Sequence, residues 1–378
     1  TDDWPGVGLY RSEVFFIRHP EDHSFRKNEP SFWELVDHYS RLIRASQGKP
    51  LTIRTFDFSG SKYPAYFARD KIIEATNPAI GPEMYLLANA DEQGQATDEN
   101  SLHFKGFNYL FRKQLRAIYF AAGLVALEPT EKKELVTDPG KRPINILFPM
   151  ISSSAKFSLA CQIAREELAK LKTDWLKQGD PYDEEITLST MIETMSAVNE
   201  ANQLAEQASS FGLGTNDLKK ALMPQTSIRD ASEITADETE GTPPKLLSLI
   251  HLTAQAAAKF GKPACLCGVL ASDPRYVTLL IGAGVTSLSV SKSQLPIIDY
   301  LIRNITYNDA QALYQQAMGL GTAEQVDLML DREYSRLLFG ENALWSALKV
   351  LSGLMTNRSA AQIIKIGQDF LKRQTTAT

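Results

Sequence analysis

Short apolar runs rich in β-branched residues alternate along this chain with longer amphipathic segments, and that alternation limits the possible folds more than any other feature. Seven runs have the character of buried strands: residues 6–11, 51–57, 144–150, 186–193, 209–215, 264–270 and 286–291. Helical spacing of apolar residues marks segments between them: residues 31–46, 158–171, 195–207, 245–260 and 296–303. Strands that alternate with helices predict a parallel sheet in an α/β fold.

An eighth short run, near residues 102–110, would complete a (β/α)8 TIM barrel. A doubly wound sheet is the structural alternative, but no Gly-x-Gly-x-x-Gly phosphate loop follows the first run. The 378 residues exceed what such a barrel needs. We expect a barrel over residues 1–335 with a loop insertion at about 63–101, followed by a helical C-terminal extension over 336–378.

Composition narrows the class of protein. The formal net charge of −5 argues against a nucleic-acid partner. Cys161, Cys265 and Cys267 do not make a disulfide framework and lack a second pair of ligands at zinc spacing. No apolar run reaches the length of a membrane span, and residues 1–30 contain no signal peptide. These features predict a cytoplasmic protein without a membrane segment.

Polar residues follow the predicted strands where a parallel barrel collects its chemistry, at the carboxyl ends. Two arginines end the first two runs, and their guanidinium groups suit an anionic ligand with several oxygens. Carboxylates on neighbouring strands suit a hard divalent cation, and a thiol beside them could donate a proton. The residues are Arg11, Arg54, Glu193, Asn216, Asp217 and Cys267.

Each of these side chains also has a purely structural interpretation. Arg11 and Arg54 could form ion pairs with Glu13 and Asp57. Cys267 could be a small core residue, as single cysteines often are. The site interpretation gains its strength from the coincidence of all of these residues at one end of one barrel.

Six segments occur in an order that is more specific than any of them alone. They are Gly-Leu-Tyr-Arg-Ser-Glu (8–13), Ile-Arg-Thr-Phe-Asp (53–57), Phe-Pro-Met (148–150), Met-Ile-Glu-Thr (191–194), Gly-Thr-Asn-Asp-Leu (214–218) and Cys-Gly (267–268). Over residues 5–335 the chain resembles the phosphoenolpyruvate-binding barrel of enzyme I of the phosphotransferase system, and the nitrogen-related branch of that family is one candidate for its place. That family is related to phosphoenolpyruvate synthase and pyruvate phosphate dikinase.

The resemblance implies roles for the matching residues. Arg11 and Arg54 would hold the phosphoryl group, and Asn216 would contact the substrate phosphate. A further family arginine falls about ten residues beyond the Asn-Asp pair, and Arg229 takes its place if two residues are inserted before it. Such a site would act by positioning and by neutralising the phosphate oxygens.

For the other positions, the resemblance implies that Glu193 and Asp217 bind a magnesium ion. It implies that Cys267 protonates the enolate carbon once the phosphoryl group has left, which yields pyruvate. A reaction of this type needs one placed acid on one face of the enolate.

The chain also departs from the family pattern. The segment Leu-His-Phe-Lys-Gly-Phe-Asn (102–108) replaces the family's Asn-Pro-x-x-Gly-x-Arg, so that Asn108, or else Lys105, stands where an arginine is expected. Val269 replaces the glutamate that follows Cys-Gly. None of the five histidines lies in the Gly-x-x-Ser-His context of a phosphohistidine domain.

The implied function is the catalytic domain of a phosphoenolpyruvate:protein phosphotransferase, which moves phosphate to a histidine on a separate domain. Its partners would be phosphoenolpyruvate and pyruvate, that phosphohistidine domain, an HPr-type phosphocarrier protein and a second copy in a homodimer. A non-catalytic module that senses phosphoenolpyruvate or pyruvate stays open as an alternative. A dikinase- or synthase-like enzyme is less favoured, because the Arg-Thr-x-Asp segment at 54–57 is of the enzyme I type.

Overall fold

The computed structural model of the chain describes residues 4–16, 30–57, 99–126, 143–175, 186–222 and 242–339. They belong to two compact units, residues 1–212 and 213–378. Arg229, most of the predicted insertion at 63–101 and the end of the chain from residue 340 lie outside the described residues. Within the described ranges, none of the helices combines the length and the hydropathy that a membrane span requires.

Seven strands follow one another in chain order in a single sheet, from β1 to β7. They are β1 Val7–Arg11, β2 Leu51–Arg54, β3 Ile144–Phe148, β4 Thr187–Ile192, β5 Phe211–Gly214, β6 Ala264–Cys267 and β7 Ser287–Leu288. The pairings of β1 with β2, β2 with β3, β3 with β4 and β6 with β7 are parallel. Each predicted run contains one strand, and the predicted (β/α) barrel class is confirmed.

The first unit carries six α-helices among its described residues. They are α1 Glu13–Phe16, α2 Phe32–Ala45, α3 Glu99–Ala126, α4 Ser154–Lys170, α5 Met195–Asn199 and α6 Ala201–Gln207, with a π-helical turn at Leu171–Trp175 after α4. A capping box starts α2, because the Ser31 side chain accepts the Glu34 N–H and the Glu34 carboxylate accepts the Ser31 N–H. Helix α3 packs against both α2 and α4.

A chain of phenylalanine rings runs through the core of the first unit, beneath the ends of β2 and β3. Phe16, Phe56, Phe111, Phe148 and Phe157 are buried and contact one another in turn, with ring centroids 5.8 to 6.3 Å apart. The pairs are edge-to-face, the arrangement that the ring quadrupoles favour. Phe56 thereby supports the backbone just after the end of β2, which carries the candidate residue Arg54.

The second unit packs its helices closely. Among its described residues the helices are α7 Thr215–Ala221, α8 Pro244–Lys259, α9 Val277–Gly282, α10 Leu295–Arg303, α11 Tyr307–Met318 and α12 Ala323–Phe339, with 3₁₀ turns at Val269–Ser272 and Pro274–Tyr276. A Cβ on Gly282 would lie 1.9 Å from the Ala310 carbonyl oxygen, so α9 and α11 approach at a distance that only glycine permits. Helix α12 includes the first four residues of the predicted C-terminal extension.

Two predictions about local structure were wrong. Residues 102–110 do not form a strand but lie inside α3, and Asn108 therefore lies within a helix rather than at a strand end. From Leu110 onward the fully buried residues of α3, which include Leu115 and Ile118, recur at helical spacing. The helix predicted at 195–207 is interrupted at Glu200, which separates α5 from α6.

Candidate active site

The predicted arginines lie side by side where β1 and β2 end. Arg11 and Arg54 are partners in the register of this parallel pair. Both guanidinium groups contact the same oxygen, Oε1 of Glu13, with Arg11 Nε at 2.9 Å and Arg54 Nη2 on the other side. Glu13 is buried, whereas half of the Arg11 side chain is exposed. A buried carboxylate therefore fixes two cations next to each other at the carboxyl edge of the sheet.

Arg54 is the more deeply embedded of the two. Its Nη1 lies 3.1 Å from Asp57 Oδ2 and 3.9 Å from Met191 Sδ, and the residue is buried. Burial acts to lower its pKa, but the negative charges of Asp57, Glu13 and Glu193 outweigh that effect and raise the pKa. The guanidinium is thus held in its charged form by three carboxylates of the first unit.

Two buried polar atoms of this cluster lack a hydrogen-bond partner within the described part of the chain. They are Oε2 of Glu13 and Nε of Arg54. A buried group left unsatisfied costs about 1–3 kcal/mol, so such groups are few in folded proteins and call for an explanation. Of the two, the Nε–H of Arg54 is a donor that an anionic oxygen could accept, whereas Glu13 Oε2 can only accept a hydrogen bond.

Glu193 follows β4 and is buried. Its Oε1 accepts the backbone N–H of Met150, which lies just beyond the end of β3. Met150 has a left-handed backbone conformation, with φ of +52°. A non-glycine residue pays for this conformation in strain, and such residues cluster at functional sites. Met150, the last residue of the Phe-Pro-Met segment, therefore donates its backbone N–H to the predicted site carboxylate of Glu193.

In the second unit the ends of β5 and β6 are linked directly. The Thr215 hydroxyl donates to the carbonyl oxygen of Cys267 at 3.2 Å. Gly268 has φ of +99°, and a Cβ there would lie 3.0 Å from Asn216 Oδ1 and 3.3 Å from Thr215 Oγ1. Glycine is favoured at this position for two reasons: its positive φ and the close approach of the Asn216 and Thr215 side chains. Asn216 and Cys267, predicted on neighbouring strands, are brought together.

Asp217 is placed differently from the other candidates. It lies in the first turn of α7, is about two-fifths exposed, and its Oδ1 lies 3.4 Å from Lys220 Nζ. An exposed ion pair of this kind contributes little to stability. A ligand can therefore reach the Asp217 carboxylate, and its weak ion pair with Lys220 is easily broken.

Cys267 is buried and lies two residues from Cys265 on β6. Neither cysteine forms a disulfide. The hydrogen bond from the Cys267 side chain lowers the pKa of Cys265 to about 7, against burial, which acts to raise it, and with further hydrogen bonds from Ser287 and Ser289. The Cys267 Sγ itself donates to the backbone carbonyl oxygen of Cys265 at 3.8 Å.

The donor set fits magnesium by its chemistry. Glu193 and Asp217 offer hard carboxylate oxygens, and magnesium in proteins commonly takes one or two carboxylates and completes its shell with water and substrate phosphate. Among the described residues, no three His, Cys, Asp or Glu side chains gather as a metal cluster.

Sequence reasoning missed two contributors. Glu13 was weighed only as an ion-pair partner, although it bridges both arginines. The sequence shows only that Glu13 lies two residues after Arg11, whereas its contact with Arg54 depends on the pairing of β1 with β2. The backbone N–H of Met150 was not foreseen, because the sequence gives no sign of a left-handed methionine. The ion pairs of Arg11 with Glu13 and of Arg54 with Asp57, which the purely structural interpretation called for, are both present.

Comparison with known proteins adds evidence that is independent of the structure. The sequence profile of the family described as "PEP-utilising enzyme, PEP-binding domain" matches residues 2–94 and 100–307. This is most of the chain and includes every candidate site residue named above.

Curated relatives agree with that match. The phosphoenolpyruvate-protein phosphotransferase of Listeria monocytogenes is 28% identical over 326 residues, which cover 86% of this chain and 48% of that protein. The multiphosphoryl transfer protein of Xanthomonas campestris is 29% identical, with 86% and 32% covered. The chain thus spans about half the length, or less, of these relatives.

Among solved structures, the malate synthase of Haloferax volcanii in a magnesium and glyoxylate complex is 12% identical. The match covers 97% of this chain and 99% of that one, with a TM-score of 0.39. A likeness this low carries no argument about function.

Proposed function

We propose a function from one premise: the chain belongs to the family of PEP-utilising enzymes and carries their PEP-binding domain. The proposal is that it binds phosphoenolpyruvate and transfers the phosphoryl group to a histidine on a separate domain, releasing pyruvate. The observation that carries it is the arginine pair held on Glu13 at the ends of β1 and β2.

That pair supplies what phosphoryl transfer asks of a protein. The transition state spreads negative charge over the equatorial phosphate oxygens, and fixed cations stabilise it without reorganising. Arg54 is held rigidly by Glu13 and Asp57, while Arg11 keeps an exposed side chain that a ligand can reach. We assign both arginines to the phosphoryl group. Asn216 and, outside the described residues, Arg229 are assigned to the substrate phosphate by resemblance to enzyme I.

Magnesium is part of the proposal. Glu193 and Asp217 would hold the ion, which when bound neutralises phosphate oxygens. The remaining work falls to the chain itself. The Met150 N–H orients the Glu193 carboxylate, and the exposed position of Asp217 leaves it open to exchange Lys220 for a cation.

Release of pyruvate requires a proton at the methylene carbon of the enolate, and Cys267 is the proposed donor. The thiol is buried at the end of β6, and its Sγ donates to the backbone carbonyl oxygen of Cys265 at 3.8 Å. Thr215 and Gly268 fix the backbone on either side of the thiol's strand end. Protonation would form a C–H bond to carbon while the thiol becomes a thiolate, which regains its proton from water.

The wider assignments are proposals as well. We propose a cytoplasmic protein that works with a phosphohistidine domain and an HPr-type phosphocarrier and forms a homodimer. The boundary between a barrel at 1–335 and an extension at 336–378 also stays a prediction.

One observation favours the alternative of a module that senses phosphoenolpyruvate without turning it over. Val269 is half exposed and immediately follows Cys267-Gly268, where the resemblance to enzyme I leads one to expect a glutamate. An apolar residue there removes an acid-base group beside the proposed proton donor. Binding without pyruvate proton exchange would support this alternative.

Calorimetric titration with phosphoenolpyruvate tests the proposed function, first with magnesium and then with a chelator. We expect clear binding with magnesium and weak binding without it, because the Glu193 and Asp217 carboxylates otherwise repel an anionic substrate. Arg303→Met is the control for loss of an arginine away from the proposed site, because Arg303 is an exposed arginine of α10 paired with Asp299. This variant should bind phosphoenolpyruvate as the unaltered protein does. Equal affinity with and without magnesium would remove the metal from the proposal, and absence of binding would refute it.

A further inference from the structure

One polar side chain lies in the buried face of α3, and the proposed function does not use it. Gln114 has no exposed surface, and the residues one helical turn away, Leu110, Phe111, Ala117 and Ile118, are equally buried apolar ones. Burying an amide among apolar side chains is costly unless its hydrogen bonds are made. The place of Gln114 therefore has to be explained by its partners.

Gln114 makes three hydrogen bonds, to three different elements. Its Nε2 donates to Ser12 Oγ at 2.8 Å and to Tyr39 Oη at 2.7 Å. Its Oε1 accepts the backbone N–H of Phe56 at 3.1 Å. Both donor hydrogens are used, and Tyr39 connects the group to α2. The amide thus ties α3 to the segment after β1 and to the segment after β2.

Those two segments are the ones that carry the arginine cluster. Ser12 lies between Arg11 and Glu13, and Phe56 lies between Arg54 and Asp57. Gln114 joins them through a single rigid amide group. The separation of the Glu13 carboxylate from the Arg54 guanidinium depends on how these two strand ends are held.

We infer that Gln114 is a positioning residue: through Ser12 and the Phe56 backbone it sets the geometry in which Arg11 and Arg54 meet a phosphorylated ligand. This inference rests on the proposed function, since it concerns the same arginine cluster. Gln114 lies beneath the strand ends and acts on the ligand only through the arginines. Displacements as small as 1 Å in such a cluster have large effects on binding and turnover.

Gln114→Met tests the inference, because methionine has nearly the same length and no amide. Calorimetry with phosphoenolpyruvate and magnesium is compared with the melting temperature of each variant. We expect affinity to fall about tenfold, as the charged cluster loses its alignment. Leu115→Ala is the control: it lies at the next position of α3, is equally buried, and should lower the melting temperature while leaving affinity within about twofold.

Ser12→Ala keeps the test decisive if Gln114→Met does not fold, since it removes only the link to the end of β1. We expect about threefold weaker binding from it. Unchanged affinity in Gln114→Met would overturn the inference. If only Ser12→Ala folds, unchanged affinity in that variant would overturn it. An equal loss of affinity in Leu115→Ala would overturn it as well. If the unaltered protein binds no phosphoenolpyruvate, the proposed function fails first, and the positioning role falls with it. Binding by the unaltered protein with no effect of the variants refutes the positioning role alone.

Discussion

The two units of this chain hold their strand ends by different means. In the first unit the ends of β1, β2 and β4 carry Arg11, Arg54 and Glu193, which are charged and tied into a network with the buried Glu13. In the second unit, the ends of β5 and β6 carry neutral groups: a hydroxyl, an amide and a thiol, from Thr215, Asn216 and Cys267. The second unit's candidate carboxylate, Asp217, is partly exposed and weakly paired.

The difference shows two ways of fixing a functional group. A buried charge is held by countercharges, so removing one partner leaves the others uncompensated. A neutral group is held by fit, as Gly268 shows by its left-handed backbone and by the 3.0 Å that would separate its Cβ from Asn216. The first arrangement suits binding of an anion, and the second suits delivery of one proton. Charge substitutions should therefore damage the first unit, and small steric changes the second.

The sharpest division between the units is expected from Cys267→Ala. As proton donor, Cys267 should matter for turnover and little for binding. General acid catalysis is worth about 10²–10⁴-fold, so exchange of the methyl protons of pyruvate should fall by that factor, with phosphoenolpyruvate affinity nearly unchanged. The assay uses the full-length protein or an added phosphohistidine domain.

Cys161→Ala is the matched control for that experiment. Cys161 is a buried cysteine of α4 with a pKa raised to about 11 by burial. Its removal should leave exchange intact. If Cys267→Ala still exchanges the methyl protons of pyruvate, Cys267 is not the proton donor and is simply a small core residue.

Removal of the central cation should cause the next largest effect. Arg54→Met leaves Glu13, Asp57 and Glu193 without their shared partner, and breaking a buried ion pair costs about 3–5 kcal/mol. Denaturant unfolding measures the free energy of unfolding directly. Arg303→Met, at an exposed ion pair, should cost at most about 1 kcal/mol. If Arg54→Met and Arg303→Met lower the free energy of unfolding by similar amounts, the charged cluster does not stabilise the protein more than an exposed ion pair does.

Gly268→Ala tests the steric arrangement of the second unit. With φ of +99° and Asn216 Oδ1 at 3.0 Å from the new Cβ, alanine should cost about 1–3 kcal/mol of the free energy of unfolding. Gly319→Ala is the control, because Gly319 has φ of −81° and its nearest neighbour is 3.4 Å away. That variant should be neutral or stabilising by about 0.4–1 kcal/mol. A neutral Gly268→Ala would show that the strand end tolerates a side chain.

The smallest effect concerns the pH dependence of Cys265. Its pKa is lowered to about 7 by the hydrogen bond from Cys267, so its thiolate should form as the pH rises through 7 rather than near 9. The rate of alkylation by iodoacetamide, read by mass spectrometry of the peptide, should have its midpoint there. Cys161, whose pKa is raised, should stay unreactive over this range. In Cys267→Ala the midpoint should move up, and an unmoved midpoint would break the link between the two thiols.

Several parts of this protein could be read from the sequence. The seven runs each contain a strand, because strand periodicity and apolar content are local properties. The ion pairs of Arg11 with Glu13 and of Arg54 with Asp57 belong to the structural alternative that the sequence left open, and their partners are near in sequence. The eighth strand predicted at 102–110 was wrong because a short apolar run fits either period, and these residues belong to the 28-residue helix α3.

The sequence by itself determined which residues end the strands and therefore which chemical groups reach the carboxyl edge of the sheet. Only the tertiary structure decided how those groups are held. Glu13 bridges two arginines that are 43 positions apart, and Gln114 joins Ser12 to Phe56 from a helix far along the chain. Periodicity reports the face on which a side chain lies, whereas the partner of a buried polar group depends on which elements meet, and that is fixed only when the chain is folded.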